Sequence, residues 1–171
     1  MNKTVLLIFF AIVGISTVSF AEQKTKDGVT FTINQINATA VGAFYIARGF
    51  SLEEIEPYSE TCVYTTTLKN NNEIDTIHYL RKNWFATKDG ISYPIRTNDY
   101  WLEATKANPS AWIAFRLAQM PEEQVYEPKG DWNQGMLSVD LPLGSSFDIT
   151  VVWDVKGKHH ELTIEGINCV K

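Results

Sequence analysis

The sequence predicts a mainly β protein, a β-sandwich of about seven strands that carries a short helix-turn-helix insertion. Three observations predict it. Apolar and polar residues alternate in segment after segment, the period of a sheet with one buried face. One stretch, residues 37–60, instead repeats its apolar residues at helical spacing. No internal repeat or shift in composition divides the chain, so one domain is expected over residues 22–171.

The first element is an address. Lys3 precedes the apolar run Val5 to Val18, and "SFA" ends at Ala21 before the charges resume at Glu22. That pattern predicts a secretory signal peptide over residues 1–21. The run is shorter than the roughly 20 apolar residues that span a bilayer. No second run of spanning length and no lipid-accepting cysteine follow it. A soluble periplasmic or secreted domain is therefore expected. Removing residues 1–21 from the 171 leaves 150, enough for one sizeable core. Lys3 leaves with the peptide, so 14 basic residues face 20 acidic ones, a net charge of −6. No basic stripe is present, which argues against nucleic acid or an anionic membrane as partner.

The mature chain begins with "GVTFTI", whose Val29, Phe31 and Ile33 share a face. The helical stretch follows. Ala40, Ala43, Phe44 and Ala47 fall at i, i+3, i+4 and i+7, Arg48 suits the last turn, and Gly49 suits the residue beyond it. Ser51 and Glu54 form the S-x-x-E capping box of a second short helix. "TCVYTTTLKN" and "IDTIHYL" flank the polar run Asn70-Asn71-Asn72 and read as a hairpin. "AWIAFRLAQ" spaces Ile113, Phe115 and Leu117 by two and reads as a strand. "GMLSVDLP" aligns Leu137, Val139 and Leu141, and "SFDITVVWDV" aligns Phe147, Ile149, Val151, Trp153 and Val155. A turn at Gly157 returns the chain through Leu162 and Ile164, and Gly166 predicts a bulge that re-aims Ile167 and Cys169. The segment "VDLPLGSSFDITVVWDV" resembles the paired late strands of immunoglobulin-like secreted domains. It lacks their Cys–Trp–Cys spacing, so the resemblance implies an immunoglobulin-like architecture and no function.

Cys62 and Cys169 are the only cysteines. In an oxidising compartment the default for such a pair is a disulfide, with free thiols or a thiolate metal pair as alternatives. No G-x-S-x-G elbow, H-E-x-x-H pair or glycine-rich phosphate loop is present. No cofactor is expected on these grounds. The stretch "QMPEEQVYEPKGDWNQGML", Gln119 to Leu137, concentrates the remaining chemistry. Met120 and Met136 stand near its ends, and thioethers with imidazoles suit copper, so Met120 and Met136 with His78, His159 or His160 are candidate ligands. Adjacent residues on a strand face opposite ways, so His159 and His160 cannot both join one site. "DWNQG" fails the calcium-loop pattern because Gly135 occupies its fifth position. Trp84, Trp101, Tyr126 and Trp132, with Glu127 and Asp131, are the candidate binding residues, since loop aromatics anchor partners.

The expectation is a non-enzymatic binding or accessory protein that recognises an envelope protein or a small ligand through its loops and helical insertion. The alternatives are an envelope copper-binding or copper-trafficking protein and a hydrolase built on the loop carboxylates.

Overall fold

A computed structural model describes residues 21–106 and 108–170. The signal peptide expected over 1–21 lies outside the described residues but for its last position. The chain is mainly β, 48% strand and 26% helix, in two antiparallel sheets. In order it forms β1 (Glu22–Lys26), β2 (Val29–Gln35), α1 (Ala38–Ile46), α2 (Leu52–Ser59), β3 (Thr61–Asn70), β4 (Ile77–Leu80), β5 (Phe85–Lys88) and β6 (Ile91–Pro94). It continues with α3 (Asn98–Thr105), α4 (Pro109–Ala118), β7 (Glu123–Tyr126), β8 (Asp131–Pro142), β9 (Ser146–Val155) and β10 (Lys158–Asn168).

One sheet runs β1-β2-β3-β8 and the other β6-β5-β9-β4-β7, with β10 on the far side of β9. Ten described strands replace the expected seven. The strand order does not establish an immunoglobulin-like arrangement. Alternation was a sound guide to the core between the sheets. Val29, Phe31, Ile33, Leu137, Val139, Phe147, Ile149, Val151, Trp153, Leu162 and Ile164 all lie in it. The helices cover the outer face of the first sheet and form a second core with Val63 of β3 and Met136 of β8. The molecule therefore has three layers. It also follows why β3 and the middle of β8 lack clean alternation: they are covered on both faces.

The hairpin expected from "TCVYTTTLKN" and "IDTIHYL" does not form. β3 pairs with β2 and β8, and the chain then crosses to the other sheet. The buried Asn70 organises that crossing. Its Nδ2 donates to the carbonyls of Asp75 (2.8 Å) and Tyr126 (3.1 Å), and its Oδ1 accepts from Asn72 N at 3.1 Å. An asparagine that satisfies backbone groups of two connections fixes a crossover rather than a tight turn.

β4 and β5 lie end to end along β9. His78 pairs with Asp154 and Phe85 with Thr150, so seven steps on one side match four on the other. The three extra residues are the 3-10 turn Arg81–Asn83, which turns Arg81 inward. Its guanidinium donates to Met120 O, Asn98 Oδ1 (2.8 Å) and Glu122 Oε1 (3.0 Å). Burial lowers the Arg81 pKa and the nearby Glu122 carboxylate opposes that shift.

Two glycines carry specific conformations. Gly166, at φ 69°, marks the expected bulge, where the β9–β10 register shifts between Ile164 and Ile167. Gly135 sits where β8 meets the 119–120 backbone. Gln119 pairs with Met136 in a parallel bridge, and Met120 N donates to Met136 O at 2.8 Å. A Cβ on Gly135 would stand 2.2 Å from Met120 N and 2.4 Å from its Cα. Gly135→Ala is therefore expected to destabilise by about 3 kcal/mol, the upper end for overpacking. A denaturation midpoint unchanged from the parent would refute the close approach.

Candidate functional site

The segment "NPSAWIAFRLAQ" is helical, not a strand. Asn108 caps α4, its Oδ1 accepting from Ser110 N (3.1 Å) and Ala111 N (3.2 Å), and Pro109 occupies the first helical position. On a helix, residues two apart face opposite ways and residues four apart share a face. Phe115 therefore points inward with Ala111, away from Ile113 and Leu117. It stacks on Tyr45 at 5.2 Å and meets Tyr58 edge-on at 5.1 Å. Ile113 and Leu117 stand together on the opposite side, 66% and 81% exposed. Ser110 lies on the same face, which Ala114 borders on one side and Arg116 on the other. Beside it, Trp112 lines a shallow groove with Leu102, Glu103 and Lys106. Arg116 reaches Asp99 Oδ1 at 2.5 Å and ties α4 to α3.

Beneath this face runs a buried polar chain. Tyr58 Oη donates to Gln119 Oε1 (3.2 Å), Gln119 Nε2 to Tyr45 Oη (2.7 Å), and Tyr45 Oη to Met136 Sδ (3.4 Å). Burial pushes the Tyr45 and Tyr58 hydroxyls well above the usual phenol range. The chain fastens α1 and α2 to the 119 connection, so the helical layer rests on a satisfied, rigid base.

Among the expected binding residues, Trp132 is exposed, at 55%, at the start of β8. Trp84 and Trp101 are not loop anchors. Trp84 lies between the sheets, with Nε1 donating to Val152 O at 2.9 Å. Trp101 lies on α3, edge-on to Tyr58 at 5.3 Å. Tyr126 is buried between the sheets. Asp131 closes a turn, accepting from Glu127 N (3.0 Å) and Trp132 N (2.9 Å), and Glu127 Oε2 accepts from Thr76 Oγ1 at 3.2 Å. Both carboxylates serve local structure.

The two methionines are neighbours in backbone but not in side chain. Met120 enters the core between the sheets and Met136 the helical core, because β8 separates them. Each histidine instead meets a carboxylate: His78 with Glu123 (2.8 Å), His159 with Asp154 (2.5 Å) and His160 with Asp27 (3.0 Å). His160 also stacks on Trp153 at 5.8 Å. His78, Asp154 and His159 share an open cleft of about 620 Å³ with Ile74, Asp75 and Lys156. As the side chains stand, no three His, Cys, Asp or Glu groups among the described residues enclose an ion position. Cys62 and Cys169 form the disulfide, with Cα atoms 5.5 Å apart.

The helical insertion over 37–60 is present, with the Ser51–Glu54 capping box complete. Its buried face differs from the expected one: α1 buries Val41, Gly42 and Tyr45 and exposes Ala40 and Ala43. The i, i+4 pair Val41 and Tyr45 offers more apolar surface than the alanines and takes the inner face. The α4 ridge was hidden by its two-residue spacing, although Asn108-Pro109 carries a helix-start signal.

No family model matches this chain, and no curated protein does. Among solved structures, a candidate lipoprotein (ycdA) of Bacillus subtilis subsp. subtilis strain 168 aligns over 84% of this chain and 38% of that one. The identity is 11% and the TM-score 0.45, so the likeness carries no argument about fold or function. The chain spans well under half the length of that protein. No helix among the described residues is long and apolar enough to cross a membrane.

Proposed function

We propose that this is an exported, non-catalytic binding protein whose partner, an envelope protein, docks on the helical layer through the outward ridge of α4. The observation that carries the reading is the pair Ile113 and Leu117, largely exposed on one helix face and bordered by Arg116. Single exposed apolar residues are ordinary, whereas paired ones on a rigid element beside an aromatic groove favour contact with a second surface. Trp112 adds an aromatic at the border of that ridge, the residue type enriched at interface hot spots. Export rests on the basic, apolar and small-residue order of the N-terminal 21 residues.

Affinity capture with the full chain tests this reading. Capture of a defined envelope protein is expected to be lost in Ile113→Ser/Leu117→Ser and kept in Trp132→Ala. Surface changes of this kind alter stability by about 0.5 kcal/mol or less, so lost capture would not reflect unfolding. Equal recovery by the double variant removes α4 as the contact.

A further inference from the structure

The helices cover the outer face of the first sheet at Val63 and Met136. The register sets the rest of that face in two rows across all of its strands. Gln23, Thr32, Thr67 and Gln134 stand side by side in one row, and Thr25, Thr30, Lys69 and Trp132 in the next. Residues two apart on a strand share a face, so Thr67 and Lys69 lie on the side of Val63, and Gln134 and Trp132 on the side of Met136. Lys24, between Gln23 and Thr25, points the other way and donates from Nζ to Thr163 O of β10 at 2.7 Å, so its two neighbours face outward. All the side chains of both rows are exposed or half-buried. At strand spacing each row is about 14 Å long, and the rows lie about 7 Å apart.

This open half has a distinct chemistry. Its side chains are hydroxyls and amides, with one indole, and Lys69 is the only charge in either row. Solvent-facing edges are ordinarily protected by lysine and glutamate, and the opposite side of β1 carries them as Glu22, Lys24 and Lys26. Threonine is stiff at its first torsion, so ordering its hydroxyl on binding costs less than ordering a lysine or glutamate. Neighbours hold several of these groups in place already. Thr25 Oγ1 lies 2.8 Å from Thr30 Oγ1, Thr32 Oγ1 donates to Gln23 Oε1 at 3.2 Å, and Asn71 Nδ2 donates to Thr30 Oγ1 at 2.9 Å. Each hydroxyl and amide can both donate and accept. Trp132 ends its row with an exposed indole face.

A ligand that matches this surface is extended and neutral, and it offers both donors and acceptors beside small apolar patches. A polysaccharide has those properties: its hydroxyls pair with hydroxyls and amides, and the C–H face of a sugar ring packs on an indole. A polyanion would need several cations where Lys69 stands alone, on a chain whose formal net charge is −5. A protein partner would need an apolar centre, whereas the one aromatic here lies at the end of a row. We propose that the open half of the β1-β2-β3-β8 face binds a neutral polysaccharide, with Trp132 under one sugar ring and the threonine and glutamine rows on its hydroxyls. The face is separate from the α4 ridge and does not depend on a partner there.

Native electrophoresis of the mature chain through gels containing hydroxyethyl cellulose, galactomannan or soluble starch tests the proposal, with alginate as the anionic control. At least one neutral polymer is expected to retard the parent, and alginate is not. Trp132→Ala is expected to weaken that retardation about tenfold or more. Thr32→Val/Thr67→Val, which keeps side-chain shape and strand preference, is expected to weaken it about tenfold through two lost hydroxyls, with near-ultraviolet circular dichroism unchanged. Lys69→Gln and Ile113→Ser/Leu117→Ser are expected to bind as the parent does. Retardation by none of the neutral polymers, retardation that Trp132→Ala leaves intact, or retardation by alginate that Lys69→Gln removes, would overturn the proposal.

Discussion

Replacing Cys62 and Cys169 together by serine is expected to lower stability by about 4–5 kcal/mol, the chain-entropy value for a loop near a hundred residues. The two cysteines are 107 residues apart. Cys62 opens β3 of the first sheet and Cys169 follows β10 of the second, so the bridge joins the layers at one end of the sandwich. Against the 5–15 kcal/mol typical of a domain, that is roughly a third or more of the total. The last strand has further ties. Cys169 N donates to Ser145 O (2.8 Å), and Gln35 holds both polar groups of Val170, at 2.8 Å each. The variant is therefore expected to fold with a lower denaturation midpoint and a steeper slope, because the unfolded chain without the bridge is more expanded. A loss below about 1 kcal/mol would mean that the unfolded chain is already held compact there.

A second large effect is expected at alkaline pH. Five of the seven tyrosines, Tyr45, Tyr58, Tyr64, Tyr79 and Tyr126, are buried. Burial raises all five pKa values, Tyr79 to about 12 and the others further. In the unfolded chain each would ionise near 10.0. The folded pKa values lie above the unfolded ones, so this stabilisation is complete below pH 10 and declines as pH rises beyond it. Each tyrosine costs up to about 1.4 kcal/mol per pH unit in that window. Five acting together can remove a typical domain stability within one to two units above pH 10. Tyrosinate absorbance is expected to appear cooperatively, together with loss of near-ultraviolet circular dichroism. Gradual ionisation of all seven tyrosines around pH 10, with the aromatic signal intact, would contradict the burial.

The sandwich core could be read from the sequence because each of its strands buries one face only, and a two-residue period reports that state directly. Phe31, Val139 and Trp153 follow that period and lie in the core between the sheets. The helical layer was harder for a physical reason. "IAFRL" satisfies a strand and a helix with equal ease: a strand sets its three apolar residues together, whereas the helix separates Phe115 from Ile113 and Leu117. The choice lay outside the apolar pattern, in the Asn108-Pro109 cap. The crossover at Asn70 was hidden because its carbonyl partners, Asp75 and Tyr126, are distant backbone groups without a sequence signature. The same holds for the histidines. His159 and His160 are adjacent in sequence, yet the residue between His159 and His78 in the sheet is Asp154, which only the strand register places there.

Residues 119–137, which gather the candidate ligands and anchors in the sequence, take a different part in the fold. The stretch is a structural seam. Gln119 anchors two tyrosines, Met120 and Met136 face different cores, and β7 and β8 absorb most of the rest. The exposed ridge proposed to dock a partner lies just before it, on α4.

The most direct test of that claim is a photo-crosslinking amino acid at position 117, with a second at exposed Glu161 on β10 as reference, in cells that make the full chain. Docking on the α4 ridge predicts a discrete adduct of one partner from position 117, none from position 161, and loss of the adduct when Ile113→Ser is added. No adduct at 117, or the same adducts from both positions, would contradict it.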